Sequence, residues 1–558
     1  MPDLILHNGK LWTQDPRFPH ATALAIGHGR ILAVGSDHEI LALAGPRTRT
    51  VDLEGRRALP GLTDAHFHFQ RWALGRQRLA LYGLGSREAV LDALGRRAEA
   101  TPPGRWIVGQ GWNETDWPEP RLLTRHDLDA VAADHPVLLW RSDLHLAVAN
   151  TMALRTAGVA ADTPDPEAGV VDRDAAGQPT GVLRDMAIGL VSSHLPEPTA
   201  DEVDAAMRDA IAEAHRLGLT GVHDFRSGGP EEGRQAWQAW QRLWAAGELR
   251  LRVTAMISGE ALDAALALGL RSGFGDDRLR IGGVKYFADG SLGARTAWML
   301  EPYADSGSGL PVTPMAALAD ALARAHPAGL SLAVHAIGDR AVRELLDVFA
   351  EVLPQRPIVR SLSPINHWPL TIDHGPLTID HSPVPHRIEH VQHSTPEDLR
   401  RLGSLGLVAS VQPIHLVDDM ALVERALGPR GRWAYAFRTL LDGGAVLALG
   451  SDCPVASPNP FWGIHAAVTR QRRDGTPPGG WYPEERLTVA EAVAGYTLGP
   501  AYAGGQLDRL GSLSPGKLAD LVVLDRDLFA IPPAEIADTQ VVMTVFDGEV
   551  IYSNGALA

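Results

Sequence analysis

The chain has 558 residues, of which 45% are hydrophobic and 21% charged, a composition typical of a folded globular protein with two or three structural units. The formal net charge of -16 opposes binding to a phosphate backbone, so we expect no nucleic-acid partner. A single cysteine, Cys453, excludes an intrachain disulfide framework and favours a reducing compartment. With neither a secretory signal nor an apolar run of about 18 residues, the sequence predicts a cytoplasmic protein without membrane contact.

Both ends of the chain show strand patterns. Residues 3 to 55 alternate short apolar runs with turn residues, as in "ATALAIGHGRILAVG", which is typical of β-hairpins. The far end contains "LADLVVLDRD" and "VVMTVFDGEVIYSNG", the second of which surrounds an Asp-Gly turn. We therefore predict that residues 1–57 and 505–558 pair into one small β-sandwich domain.

The stretch "GLTDAHFHF", residues 61 to 69, places His66 and His68 one residue apart at the end of an apolar run. Side chains at positions i and i+2 of a strand point to the same face, so the two imidazoles could bind one metal ion together. A polar strand face explains the pair equally well when it is taken alone. The other candidate ligands along the chain distinguish a metal site from a polar strand face.

After this strand, about 120 residues precede the next regular helical pattern, whereas an ordinary βα loop has about 2 to 6 residues. Insertions above a barrel are often functional, so we predict that residues 75–190 form an inserted lid subdomain. It contains Trp112, Arg141 and His145.

From here to residue 504, apolar runs alternate with helical patterns such as "TADEVDAAMRDAIAEAHRLG" and "PMAALADALARAH". Eight such units predict an α/β fold, a (β/α)₈ TIM-like barrel over residues 58–504. The candidate strands are "LPGLTDAHFHF", "LTGVHDF", "LRLRVTAMI", "LRIGGVKYFAD", "LSLAVHAIG", "HRIEHVQ", "LVASVQP" and "AVLALGSDCPV".

A duplicated heptapeptide, "PLTIDHG" then "PLTIDHS" at residues 369 to 382, precedes the sixth candidate strand. Seven residues are too few for a repeat architecture, and the segment should lie at the amino-terminal face of the barrel, away from the chemistry. We interpret it as a loop. A surface metal site formed with His367, His374, His381 and His386 is the alternative.

Barrel enzymes carry their catalytic groups at the carboxyl ends of the strands. Each polar residue at such an end has a structural explanation when taken singly, as a core histidine or a turn cap. Together they form the ligand set of a divalent metal site, for which Zn²⁺ fits best. The six residues are His66, His68, Lys285, His335, His390 and Asp452.

Several motifs resemble the amidohydrolase superfamily, amidohydrolase-3 type, in the branch of metal-dependent hydrolases that includes N-substituted formamide deformylase. Besides "GLTDAHFHF", they are "KYFADGSLGARTA", "HAIGDRAV", "RIEHVQ", "GSDCPV", "LTVAEAVAGYT" and "GSLSPGKLADLVVLD". They cover nearly the whole chain in family order. The resemblance is specific for fold and metal chemistry, and weak for the substrate.

The resemblance implies a role for each candidate ligand. His66, His68 and Asp452 would hold the more buried metal ion, and His335 and His390 an outer one. Lys285 matches the lysine that, in binuclear members, is carboxylated by CO₂ and bridges both ions. A neutral Lys285 beside a single ion remains open, so the expectation is one or two Zn²⁺ per chain.

The implied reaction is hydrolysis of a C–N bond of amide type in a small molecule. A metal ion lowers the pKa of bound water to about 7 and so supplies a hydroxide nucleophile. Asp452 would take the proton from this water and deliver it to the leaving amine. The candidate substrate-binding residues, for which a purely structural role is equally compatible, are Trp112, Arg141, His145, Asp289, Arg295, His415 and Asp419.

Other functions stay open at this point. Deaminases of the superfamily resemble one another in a glutamate three residues beyond the strand 5 histidine, where this chain has Gly338. An esterase or lactonase would use the same nucleophile. A non-catalytic protein that binds a metal or small ligand is the alternative of another class. A homodimer is compatible with the resemblance, but no residue identifies an interface.

Overall fold

The structure, a computed structural model, describes residues 1–114, 117–141, 146–166, 169–225, 230–353 and 384–557. His145 and the duplicated heptapeptide lie outside the described residues.

The described strands, in chain order, are β1 (Leu4–His7), β2 (Lys10–Leu11), β3 (Ala23–Gly27), β4 (Arg30–Gly35), β5 (Arg49–Asp52), β6 (Arg57–Pro60), β7 (Leu62–Phe67), β8 (Leu79–Ala80), β9 (Ile107–Trp112), β10 (Val137–Arg141), β11 (Leu146–Ala149), β12 (Gly169–Arg173), β13 (Pro179–Asp185), β14 (Leu219–Asp224), β15 (Arg252–Ser258), β16 (Leu279–Phe287), β17 (Leu332–Ala336), β18 (Arg387–His390), β19 (Val408–Val411), β20 (Val446–Leu449), β21 (Leu521–Leu524), β22 (Val541–Phe546) and β23 (Glu549–Ser553).

The α-helices are α1 (Asp37–Leu41), α2 (Phe69–Arg76), α3 (Arg87–Glu99), α4 (Arg125–Ala132), α5 (Thr151–Thr156), α6 (Gly189–Ser192), α7 (Ala200–Arg216), α8 (Pro230–Ala245), α9 (Leu262–Ala267), α10 (Met315–Ala325), α11 (Asp339–Val352), α12 (Pro396–Ser404), α13 (Pro413–Leu427), α14 (Phe437–Asp442), α15 (Pro460–Thr469), α16 (Val489–Gly495) and α17 (Leu498–Ala503). Short 3₁₀ helices cover Met186–Ile188, Gly259–Ala261, Gly428–Trp433, Pro483–Glu485 and Pro533–Asp538. No helix in this described part of the chain combines the length and apolar character needed to cross a bilayer.

Eight parallel strands form the central sheet, in the order β20-β19-β18-β17-β16-β15-β14-β7. All eight candidate strands of the sequence are in it, so the predicted barrel is confirmed. Two backbone hydrogen bonds nearly close the circle: Asp452 N donates to His66 O at 2.8 Å, and His68 N donates to Cys453 O at 2.8 Å. The carboxyl ends of the first and last strands thus meet at the two histidines.

Two further sheets contain the strands from the two ends of the chain. One has the order β4-β3-β1-β5, and the other, β2-β6-β21-β22-β23, combines strands from both ends. Leu6 and Ile26 of the first sheet share an apolar core with Leu521 and Val545 of the second, which confirms the predicted β-sandwich.

The chain divides into two compact units, residues 1–70 with 208–558, and residues 71–207. The second unit contains a six-stranded sheet in the order β12-β13-β11-β10-β9-β8. Its apolar core includes Leu94, Trp112, Leu139 and Val148, all fully buried. The exact domain limits read from the sequence, including the lid at 75–190, stay predictions.

Candidate metal centre

The candidate ligands lie at the carboxyl ends of five barrel strands. His66 is near the end of β7 and His68 follows that strand, Lys285 is in β16 and His335 in β17, His390 ends β18, and Asp452 follows β20. Asp452 has a positive φ of 57°, an uncommon conformation for a residue other than glycine. Two residues earlier, Gly450 passes so close to β7 that an added Cβ would lie 2.5 Å from His66 N. The "GSD" motif therefore brings Asp452 against the first strand.

Three of the six predicted ligands form a compact, buried group. His66, His390 and Asp452 each offer one nitrogen or oxygen atom, and these atoms all lie within 4.8 Å of one another. Asp452 Oδ1 is 3.5 Å from His66 Nε2 and 2.9 Å from His68 Nε2. His66 and His68 therefore face the same carboxylate, as their shared strand face predicts.

His335 lies beside this group. Its ring centroid is 4.4 Å from that of His390. Its Nε2–H donates to Gly290 O at 2.9 Å, which leaves Nδ1 as the nitrogen that could bind a metal ion. Burial lowers the pKa of His335 to about 3 and that of His66 to about 4, so both rings are neutral at pH 7, the form that binds metal ions.

Lys285 is buried between two aromatic rings. Its Nζ lies 5.0 Å from the ring centroid of Phe225 and 4.7 Å from that of Phe287. Among the residues that the structure describes, no carboxylate lies within 4.0 Å of this nitrogen. Burial lowers the pKa of Lys285 to about 8. Loss of hydration causes this shift, and the negative charges of Glu389 and Asp452 oppose it.

Three histidines of the centre each contact a hydrogen-bond acceptor through Nδ1. His66 Nδ1–H donates to Glu389 Oε2 at 2.7 Å, and His390 Nδ1–H donates to Gln412 Oε1 at 2.8 Å. His68 Nδ1 lies 3.2 Å from the backbone oxygen of Phe225. All three therefore present Nε2 to the centre.

The group suits a cation. The carboxylate of Asp452 is buried beside the Nε2 atoms of His66 and His68. Within the described residues, the buried Oδ1 of Asp452 has no hydrogen-bond partner in favourable geometry, although His68 Nε2 is close. A buried anionic oxygen facing deprotonated ring nitrogens is the arrangement that a divalent cation stabilises. The residues therefore fit the metal ion implied by the sequence.

The four candidate substrate residues in this unit that the structure describes all have internal partners. Asp289 accepts hydrogen bonds from three backbone N–H groups, those of Trp298, Ile337 and Gly338, at 2.8 to 3.0 Å. Arg295 forms a two-pronged ion pair with Asp305, with N···O distances of 2.8 and 2.7 Å. Asp289 lies 3.7 Å from His335 Nε2, so it borders the centre.

His415 and Asp419 lie on α13. The ring of His415 contacts Ser451 O at 3.1 Å, one residue before Asp452. Asp419 accepts hydrogen bonds from Gln392 at 2.7 Å and from the hydroxyl group of Tyr435. For all four residues a substrate contact stays a prediction.

Trp112 and Arg141 belong to the unit of residues 71–207. The Trp112 indole is fully buried and donates to Leu139 O at 3.2 Å. The Arg141 guanidinium pairs with Glu114 at 2.8 Å and also donates to Asn113. For both residues a substrate contact stays a prediction.

The residues that support the ligands are not among those predicted from the sequence. Glu389 and Arg387 in "RIEH" are both buried, as are Gln412 and Asp64. Asp64 accepts hydrogen bonds from His66 N at 3.0 Å and from the hydroxyl group of Ser451 at 2.6 Å. The one available signal was two opposite charges at i and i+2 inside an otherwise apolar strand pattern, which puts them on the same face.

Residues 49–552 match the sequence profile of the Amidohydrolase family. The chain belongs to this family. Protein LONG AFTER FAR-RED 3 of Arabidopsis thaliana is 35% identical over 535 residues, 94% of this chain and 87% of that protein. N-substituted formamide deformylase of Arthrobacter pascens is 28% identical over 567 residues, 99% of this chain and 98% of the deformylase.

The fold has a close match among solved structures. An uncharacterized metal-dependent hydrolase from Pyrococcus horikoshii OT3 superposes with a TM-score of 0.73 at 29% identity, over 95% of this chain and 99% of that one. The predicted amidohydrolase family and barrel are thus confirmed, and the protein is a hydrolase of that family.

Proposed function

We propose that the protein hydrolyses a C–N bond of amide type in a small molecule, such as an N-substituted formamide or an N-acyl amine. The observation that carries the proposal is the buried group of His66, His390 and Asp452, whose ligand atoms lie within 4.8 Å of one another, in a chain of the amidohydrolase family. The 28% identity to N-substituted formamide deformylase along nearly the whole chain supports an amide-type substrate.

His66, His390 and Asp452 would hold the ion, with His68 as a further ligand. Imidazole nitrogens with a carboxylate oxygen suit Zn²⁺. When bound, the ion would lower the pKa of a water molecule and polarise the carbonyl group of the substrate.

Asp452 has the proton-transfer role in this proposal. Its carboxylate is buried and sits 2.9 Å from His68 Nε2, so it is held at the centre rather than in solvent. We propose that it accepts the proton of the attacking water and returns it to the nitrogen atom of the leaving amine. Hydrolysis then balances, because water supplies a hydroxyl group to the acyl carbon and a proton to the amine.

We further propose that Lys285 is carboxylated and supplies oxygen ligands to a second ion, together with His335. The amine adds to CO₂ and releases one proton, which leaves an anionic carbamate. Burial lowers the pKa of Lys285 to about 8, which increases the share of neutral amine, the form that reacts with CO₂. The ring of His335 beside His390 supplies an imidazole for such a second position.

The test is a hydrolysis panel of N-substituted formamides, N-acyl amines, esters and lactones, with the protein loaded with Zn²⁺. Turnover of an amide that is lost in His390→Asn supports the proposal. The matched control is His215→Asn, a buried histidine on α7 whose ring contacts Arg250 O at 2.7 Å, and this variant should retain turnover. If the protein hydrolyses only esters, the proposed substrate class changes from amides to esters. If the metal-loaded protein hydrolyses none of the compounds, the result favours a non-catalytic binding function.

A further inference from the structure

A buried charged pair lies beneath the candidate metal centre. Arg387 and Glu389 occupy positions i and i+2 of β18, so both side chains point to the same face of the strand. The side chain of Glu389 is 0% exposed and that of Arg387 is 2% exposed. Charged side chains are rarely buried so completely unless they are paired, and a pair can cost more in desolvation than it returns in stability.

Glu389 determines which nitrogen atom of His66 faces the centre. Its Oε2 lies 2.7 Å from His66 Nδ1. An ionised carboxylate only accepts hydrogen bonds, so Nδ1 carries the proton and Nε2 has a free lone pair. This Nε2 is the atom 3.5 Å from Asp452 Oδ1.

The partner of His66 differs in kind from those of the neighbouring histidines. His68 Nδ1 faces the backbone oxygen of Phe225, and His390 Nδ1 faces the amide oxygen of Gln412. Both of these acceptors are neutral, whereas Glu389 is an anion. A carboxylate partner fixes the tautomer and also makes the imidazole a stronger ligand.

Arg387 in turn fixes the carboxylate of Glu389. The guanidinium donates to Oε1 at 2.6 Å and to Oε2 at 3.1 Å. The same Nη2 that faces Oε2 also lies 2.7 Å from Ala65 O and 2.6 Å from the Ser410 hydroxyl oxygen, so these three acceptors share its two hydrogens. Nη1 donates to His223 Nδ1 at 2.7 Å. Since Ala65 directly precedes His66, one guanidinium holds both the carboxylate and the backbone next to the ligand.

We infer that Glu389 is a positioning residue of the metal centre, which locks His66 with Nε2 toward the ion and strengthens it as a ligand, while Arg387 holds the Glu389 carboxylate in place. The inference rests on the proposed function, because it requires a metal ion at His66. It adds a charged residue, absent from the predicted ligand set, that controls metal affinity.

The test measures affinity for Zn²⁺ alone, by competition with a chromophoric chelator, in the full-length protein. Glu389→Gln should weaken Zn²⁺ binding by about 10- to 100-fold. The matched control is Asp520→Asn: Asp520 is also a buried carboxylate paired with a buried arginine, Arg252, at 2.7 Å, but contacts none of the candidate ligands. Asp520→Asn should bind Zn²⁺ as the wild type does. Loss of affinity in both variants would mean that any buried ion pair has this effect, and would overturn the inference.

A second variant covers the case in which Glu389→Gln does not fold. Glu389→Asp keeps a negative charge opposite Arg387 but is shorter by one methylene group, so its carboxylate moves away from His66 Nδ1. We expect weaker Zn²⁺ binding here too, together with a changed visible absorption spectrum after Co²⁺ replaces Zn²⁺. Wild-type affinity and an unchanged Co²⁺ spectrum would overturn the inference alone. A wild-type protein that binds no Zn²⁺ would overturn the proposed function as well.

Discussion

Phe225 lies flat against the imidazole of His66, with ring centroids 3.9 Å apart and ring planes 4° apart. The backbone oxygen of the same residue faces His68 Nδ1 at 3.2 Å. Phe225, the residue that directly follows β14, therefore orients both His66 and His68. The stack restricts rotation of the His66 ring, and the carbonyl oxygen selects the nitrogen that His68 presents.

The first prediction is that Phe225→Ala weakens metal binding as well as the fold. Truncation of a fully buried phenylalanine costs about 3 to 5 kcal/mol of stability, and here it also frees the His66 ring. Phe349→Ala on α11 is the matched control, because Phe349 is equally buried and packs against His386 rather than against His66. The unfolding temperature should fall in both variants, whereas the affinity for Zn²⁺ should fall only in Phe225→Ala. Equal affinity in the two variants would show that the stack has no role in binding.

The second prediction separates catalysis from metal binding at Asp452. Asp452→Asn keeps an oxygen at the centre but removes the proton acceptor, so turnover should fall by about 10²- to 10⁴-fold. Metal content should fall far less, because His66, His68 and His390 remain. Both quantities are measured on one preparation, by amide hydrolysis and elemental mass spectrometry. Turnover that falls only in proportion to metal content would assign Asp452 to ligation alone.

The third prediction concerns removal of the ion. A ligand present at about 1,000 times its dissociation constant stabilises the folded state by about 4 kcal/mol, so dialysis against a chelator should lower the unfolding temperature. Added Zn²⁺ should restore it in the wild type. In the double variant His66→Ala with His390→Ala, added Zn²⁺ should not restore the unfolding temperature. If it raises the unfolding temperature of this variant as much as that of the wild type, the ion binds elsewhere.

The fourth prediction is a loss of stability in mild acid. Burial lowers the pKa of His393 from 6.5 to about 3, with Arg430 as a further cause. Between these values the unfolded chain binds a proton that the folded protein does not, so the contribution is fully present above pH 6.5 and is lost as the pH falls. One such group changes the free energy of unfolding by at most about 1.4 kcal/mol per pH unit.

A substitution at His393 tests this directly. Within the described residues neither ring nitrogen of His393 has a hydrogen-bond partner, so His393→Phe removes the titrating group without breaking a bond. The decline of the unfolding temperature from pH 7 to pH 4 should be shallower in this variant. The control is His38→Gln, because His38 on α1 is exposed. This substitution should leave the decline of the unfolding temperature unchanged. An identical decline in His393→Phe and the wild type would contradict the assignment.

The barrel could be predicted from the sequence, and the candidate ligands could be selected there, because both have local signals. The apolar runs that contain Val284, Val334 and Leu447 mark buried parallel strands, and polar residues at their carboxyl ends stand out. His66 and His68 share a face by the two-residue period of a strand. The Asp547-Gly548 turn between β22 and β23 has positive φ at both residues, 53° and 81°, as the Asp-Gly pair predicts.

The supporting network could not be read in this way, because its meaning depends on contacts between distant residues. Glu389 and His66 are 323 residues apart, and nothing local distinguishes a buried Arg387–Glu389 pair from an exposed one. Asp289 illustrates the converse. The sequence makes it a candidate for substrate contact, which stays a prediction, and the fold shows that its carboxylate accepts three backbone N–H groups. A polar motif in a barrel loop cannot by itself separate recognition from loop closure.

The most direct test of the metal centre is the number of metal ions per chain, measured by elemental mass spectrometry on protein purified without chelator. The comparison includes the wild type, Lys285→Ala, and the double variant His66→Ala with His390→Ala. We predict one or two Zn²⁺ in the wild type, a fall from two toward one in Lys285→Ala if Lys285 bridges two ions, and a large loss in the double variant. No metal in the wild type, or undiminished metal in the double variant, would contradict a metal centre at His66, His390 and Asp452.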